Sequence, residues 1–161
     1  YYNNRNYQGR MENAIETFLG ESFLFSGLSD SDREIVEEHM YETHLDAGDV
    51  LFNEGDQGDF LCYVVQGKLQ ITKKNHAGKA VELAVLQRGQ LIGEMAMIDC
   101  VPRSATVKAL EETVLMVLTR KGFELLLSQH ADIGVVILRS LTKLMSVKIR
   151  DLSEDFVDLL K

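Results

Sequence analysis

The stretch Gly78-Lys79-Ala80-Val81-Glu82-Leu83-Ala84-Val85-Leu86-Gln87-Arg88-Gly89 carries an apolar–polar alternation, Val81 to Val85, between two glycines. Successive side chains of a strand point to opposite faces, so period-two alternation reads as β structure with one face turned to a core. The same punctuation extends in both directions. Glycines recur at 48, 55, 58, 67, 78, 89 and 93, and short β-type runs lie between or beyond them. These runs are Val50–Phe52, Phe60–Val65, Leu69–Thr72, Val81–Leu86, Ala105–Leu110 and Thr113–Thr119. Short strands separated by Gly-Asp, Gln-Gly and Ala-Gly turns predict an antiparallel sandwich or barrel. Alternation is mixed in the other runs, as expected of strands covered on both faces.

Helical patterns flank the β region. Met11 to Leu19 is weakly amphipathic. Ser31-Asp32-Arg33-Glu34 has capping-box spacing and predicts a helix carrying Ile35, Val36 and Met40 on one face. Beyond Arg120, Phe123 to Gln129 predicts a short helix, and Asp132 is placed to cap a long one running towards Lys161. Leu138, Leu141, Met145, Ile149, Leu152, Phe156 and Leu159 recur at three- and four-residue steps. Such a seam packs either on the barrel and the N-terminal helices or, in its distal half, on a second copy of the chain.

The bulk composition narrows the function classes. Of the 161 residues, 45 % are hydrophobic and 26 % charged, values of a globular domain, and no apolar run is long enough to cross a bilayer. The formal charge is −8. Residues 12–42 hold nine acids against Arg33 alone, while residues 132–161 are balanced at five and five. No basic face is present to neutralise phosphates, so direct nucleic-acid binding is not expected. Cys62 and Cys100 lack metal-ligand or disulfide spacing and read as free thiols in a reducing cytoplasm. His39, His44, His76 and His130 are scattered, with His39 and His44 five apart on an expected helix. No metal-, serine- or cysteine-based catalytic pattern emerges, and an enzymatic role is not expected. The chain does not begin with Met and reads as part of a longer product.

One segment breaks the strand pattern: Leu91-Ile92-Gly93-Glu94-Met95-Ala96-Met97-Ile98-Asp99-Cys100-Val101-Pro102-Arg103-Ser104-Ala105-Thr106. Gly-Glu-Met-Ala-Met reads as one helical turn entered through a glycine, whose missing side chain lets backbone approach a ligand. Pro102, the single proline, holds Val101 extended and fixes the approach to Arg103. A guanidinium there offers a planar fork to phosphate oxygens. Ser104 and the Ala105 backbone N–H complete such a grip. Glu94 opposes a bare anion and suits a ligand hydroxyl, so the expected ligand carries both a phosphate and a neighbouring OH. On these residues alone, Glu94 and Arg103 read equally as a structural ion pair closing a turn.

Gly93-Glu94-Met95-Ala96-Met97 together with Pro102-Arg103-Ser104-Ala105-Thr106 resembles the phosphate-binding cassette of cyclic nucleotide-binding domains. That family includes the bacterial catabolite activator, the regulatory subunits of cAMP-dependent kinase and cyclic-nucleotide-regulated channels. The likeness extends to Val50–Asp56, Gly58-Asp59, Val64–Leu69, Leu86–Gln90 and Phe23–Asp32, and runs from about Glu21 to about Arg150. The resemblance implies an eight-stranded antiparallel β-roll, a jelly-roll form of double-stranded β-helix, with N-terminal helices and a long C-terminal helix as lid. It implies that Glu94 accepts the ribose 2′-OH and Arg103 pairs with the cyclic phosphate. Gly93, Met95, Ala96, Ser104 and Ala105 would line the pocket, with Ile71 and Leu83 packing on the base. Candidates on the last helix for the base are Leu144, Lys148 and Leu152.

The expected organisation is a tail and helix over 1–20, a β-roll with its leading helices over 21–131, and a lid or dimerisation helix over 132–161. The expected function is a non-enzymatic cyclic nucleotide sensor, its ligand cAMP, signalling through the last helix and forming a homodimer there. Ser104 leans towards cAMP, since some cGMP-preferring relatives place Thr at that position. The alternatives are a sensing fragment of a catabolite-activator-type regulator, a cGMP-binding member and a member without ligand.

Overall fold

A computed structural model describes residues 19–159, without the side chain of Leu159. The helix expected from Met11 falls outside them except for Leu19, which is buried. A 3₁₀ turn, Phe23–Phe25, leads to helix α1, Asp30–Glu37. Its capping box sits two residues earlier than the Ser31–Glu34 spacing suggests. The Asp32 backbone N–H donates to Ser29 Oγ at 3.2 Å, and the Ser29 N–H donates to Asp32 Oδ2 at 3.1 Å. Aspartate closes this box in place of the glutamate expected there, and the Ser29 hydroxyl and backbone N–H, both donating to its carboxyl, hold that group below the usual range.

Among the described residues, eight strands form two four-stranded antiparallel sheets. The first orders β1 (Met40–Leu45), β8 (Thr113–Thr119), β3 (Phe60–Gln66) and β6 (Leu91–Ile92); the second orders β2 (Val50–Phe52), β7 (Thr106–Ala109), β4 (Lys68–Lys74) and β5 (Ala80–Gln87). This is the expected β-roll. Two expectations at its margin change. Met40 lies not on the first helix but in β1, opposite Leu118. His44 is likewise on β1, so the two histidines do not share a helix.

Strands β3 and β8 explain why their sequences do not alternate. Cys62, Val64, Leu115 and Val117 face the inter-sheet core with Phe52, Leu69, Ile92 and Val107. Leu61, Tyr63, Met116 and Leu118 point the other way, into a core shared with Phe25, Val36, Phe123, Leu126, Ile133 and Ile137. Both faces are covered, so both are apolar. By contrast, the regular alternation of β5 does not bury it: Val81, Leu83 and Val85 stay 42 %, 58 % and 41 % exposed. β5 is an edge strand paired with β4 alone.

Helix α2 (Glu94–Asp99) follows β6, and α3 (Arg120–Gln129) follows β8. The long helix α4 spans Ala131–Leu159, with Asp132 inside its first turn rather than capping it. Its buried stripe is Ile133, Ile137 and Leu141, and of the expected seam only the first two members, Leu138 and Leu141, pack on this core. Farther along, Ile149, Leu152 and Phe156 are 61 %, 68 % and 62 % exposed. The helix is thus anchored by its first half.

Both cysteines are free, Cys62 buried and Cys100 exposed. Burial pushes the Cys62 thiol up to about 12. A thiol reagent at pH 8 is therefore expected to titrate one cysteine in the native protein and both in denaturant. Two equally fast native thiols would contradict this packing.

Candidate functional site

The nine residues singled out from the sequence, Ile71, Leu83, Gly93, Glu94, Met95, Ala96, Arg103, Ser104 and Ala105, all line one cavity of about 370 Å³. Its walls are built from β2, β4, β5, β6 and β7, together with α2 and the loop after it. Lys148 and Leu152 of α4 close one side. Leu144 is half-buried and is not among the lining residues.

Gly93 ends β6 at φ +86° and starts α2. A Cβ there would stand 2.5 Å from Arg103 Nη1 and 2.8 Å from the Phe60 carbonyl oxygen. Only glycine takes this left-handed turn against a guanidinium without strain. Its position delivers Glu94 into the cavity wall with 5 % of its surface exposed. Gly58 has a matching role on the far side, where a Cβ would overlap that of Ala96.

Arg103 is also 5 % exposed. Its guanidinium carbon lies 4.1 Å from the Phe52 ring centroid and 4.4 Å from that of Phe60. The rings meet edge-on at 6.0 Å and 64°. Cations over aromatic faces are stabilised by the ring quadrupole, more so when desolvated. Nη2 donates to the Phe60 carbonyl at 2.8 Å, and Nη1 donates to that of Gly93 at 3.4 Å. The backbone is fixed as firmly: the Arg103 N–H donates to the Asp56 carbonyl and the Gly55 N–H to the Arg103 carbonyl, each at 2.8 Å. Burial lowers the guanidinium's affinity for its proton, and the Asp59 and Glu94 carboxylates partly offset this. Nε is buried and has no hydrogen-bond partner. A buried N–H of this kind calls for an acceptor.

Three features were not legible in the sequence. The Phe52–Arg103–Phe60 stack joins residues far apart in the chain, and neither phenylalanine is marked by its neighbours. Arg120, at the start of α3, donates to the carbonyls of Gly58 and Ala96 and so ties α2 to the β2–β3 turn. Lys148 turns its ammonium to Glu94 Oε1 at 2.5 Å instead of standing free in solvent. Among the described residues, no group of His, Cys, Asp and Glu could hold a metal ion. None of their helices is long and apolar enough to cross a membrane.

A β-roll in which a short helix and the loop after it set a buried carboxylate and a buried arginine around one cavity describes a binding domain for a small ligand. Comparison with known proteins agrees and goes further. The model of the cyclic nucleotide-binding domain family matches residues 42–130. The chain belongs to that family. It is 33 % identical, over 73 % of its length, to the cAMP-dependent protein kinase regulatory subunit of Debaryomyces hansenii, and the match spans 25 % of that protein. The crystal structure of a cyclic nucleotide-binding domain from Methylobacillus flagellatus superposes with a TM-score of 0.81 at 27 % identity, covering 91 % of this chain and 82 % of that one. The regulatory domain of Toxoplasma gondii PKA, solved with cAMP, gives 0.65 at 34 % identity, covering 72 % and 44 %. The chain therefore spans about a quarter of the kinase subunit it resembles in sequence.

Proposed function

We propose that the cavity binds cAMP and that the domain is a regulatory module rather than an enzyme. The observation that carries the reading is Arg103, which lines the same cavity as Glu94 and whose guanidinium is buried between two rings with an Nε–H that no protein group accepts. A guanidinium has five N–H groups, and two are used on the carbonyls of Phe60 and Gly93. The remaining donors suit the oxygens of a cyclic phosphate. Glu94, facing the cavity with an oxygen left over from Lys148, suits the ribose 2′-hydroxyl. Gly93, Met95, Ala96, Ser104 and Ala105 line the phosphate end, and Ile71 and Leu83 offer apolar surface to the base.

Helix α4 is the output element in this reading. Leu152 reaches the cavity while the distal half of the helix is exposed, so ligand contact and helix position are linked. The exposed Ile149, Leu152 and Phe156 are the face through which a second copy would pair. The two free thiols fit a cytoplasmic setting, and the acidic balance of the chain speaks against direct contact with nucleic acid.

The base is tested by displacement of a fluorescent cyclic nucleotide. cAMP is expected to compete at lower concentration than cGMP. A preference for cGMP would overturn the base assignment while leaving the phosphate and ribose contacts in place.

A further inference from the structure

Lys148 is the one residue of the distal helix whose charge enters the cavity wall among the described ion pairs. Its Nζ lies 2.5 Å from Glu94 Oε1, and the glutamate side chain is 7 % exposed against 46 % for the lysine. The two are 54 positions apart in sequence, so the contact is set by the fold. Around Lys148 the helix is open: Val147 is 43 % and Ile149 61 % exposed.

A carboxylate accepts about four hydrogen bonds over its two oxygens. An ammonium on one oxygen leaves the other to receive a hydroxyl, and it restricts the rotation of the carboxyl group. A lysine that only covered the surface would gain none of this by pointing inward.

We propose that Lys148 is a positioning residue: it holds the Glu94 carboxylate ready for the ligand's ribose hydroxyl and, through the same ion pair, holds the distal half of α4 against the cavity. The proposal rests on the cyclic nucleotide reading of Glu94. Its two consequences are separable. One concerns discrimination between ligands that do and do not carry the hydroxyl. The other concerns the helix alone and needs no nucleotide.

The test compares wild type, K148M and K148R, with cAMP and 2′-deoxy-cAMP as probes. K148M is expected to weaken cAMP binding by about 3- to 20-fold and 2′-deoxy-cAMP by less than about twofold, since the lost ion pair is half exposed. K148R is expected to recover most of the difference. Equal weakening of both nucleotides, or none, would overturn the positioning role. Amide hydrogen exchange on nucleotide-free protein provides the second readout. K148M and E94Q should each speed exchange over residues 144–156, and the double variant should add nothing further. Unchanged exchange in both single variants would sink the latch. If wild type bound neither cAMP nor cGMP, the functional reading would fall with the positioning role, and the exchange arm would still decide the latch.

Discussion

Replacing Arg103 with alanine is expected to weaken cAMP binding by at least about 10-fold and up to about 150-fold, the usual cost of a lost charge-assisted hydrogen bond. The loss reaches further than the phosphate. The Phe60 and Gly93 carbonyls would each lose a donor, and Phe52 and Phe60 would lose the cation between them. Unsatisfied buried acceptors and a vacated side-chain volume together point to a stability loss of about 2 to 4 kcal/mol. R103K separates the two effects. It keeps a cation near the rings but gives up the planar fork, so its melting temperature should lie closer to wild type than that of R103A. Its cAMP affinity should still fall clearly. Calorimetric binding and thermal melts on the same samples check both. An R103K protein with wild-type affinity would show that the fork is not used.

Gly93→Ala is expected to have an effect of similar size by a different route. The backbone at φ +86° costs an L-residue about 1 to 2 kcal/mol. The added Cβ would also meet the Phe60 carbonyl oxygen at 2.8 Å, and that atom belongs to a central strand that cannot swing aside. A total near 2 to 4 kcal/mol lowers the melting temperature of a domain this size by roughly 5 to 12 °C. The variant should lose affinity as well, because relief of the clash moves either Arg103 or the start of α2 that carries Glu94. A G93A protein that melts and binds as wild type does would contradict the close packing described for this turn.

How far such a site can be read in advance depends on whether its parts are local. The cassette is local: Gly93, Glu94, Pro102 and Arg103 lie within one loop-and-turn segment, and their chemistry is visible in their order. Strands β2 and β8 were legible to the residue, because glycines or charged residues bound them. β1 was hidden because Met40 continues the helical spacing of Ile35 and Val36 and no glycine or proline separates helix from strand. β6 has two residues, too few for any period to register. The apolar seam of the last helix was visible, but which part of it is buried is decided by where Phe123, Leu126 and Phe25 sit. Arginine's aromatic stack, the Arg120 tie and the Lys148 pair are all long-range. Nothing near those residues in the chain marks their partners.

Glu94 is the residue through which the cavity wall meets the distal helix, and Arg103 is the residue through which it meets the β2–β3 turn. Under the proposed function, a ligand held between them would touch, through one side chain each, both the distal helix and the turn that anchors Arg103. That is the arrangement a sensor needs, since a ligand shifts an equilibrium only through contacts that differ between its two states.

The most direct measurement is titration calorimetry of cAMP into protein refolded to remove nucleotide. The site described here predicts a single saturable transition with one nucleotide per chain and an affinity in the micromolar range or tighter. Absence of heat with both cAMP and cGMP, on protein whose melting shows it folded, would contradict the assignment of Gly93 to Thr106 as a cyclic nucleotide grip.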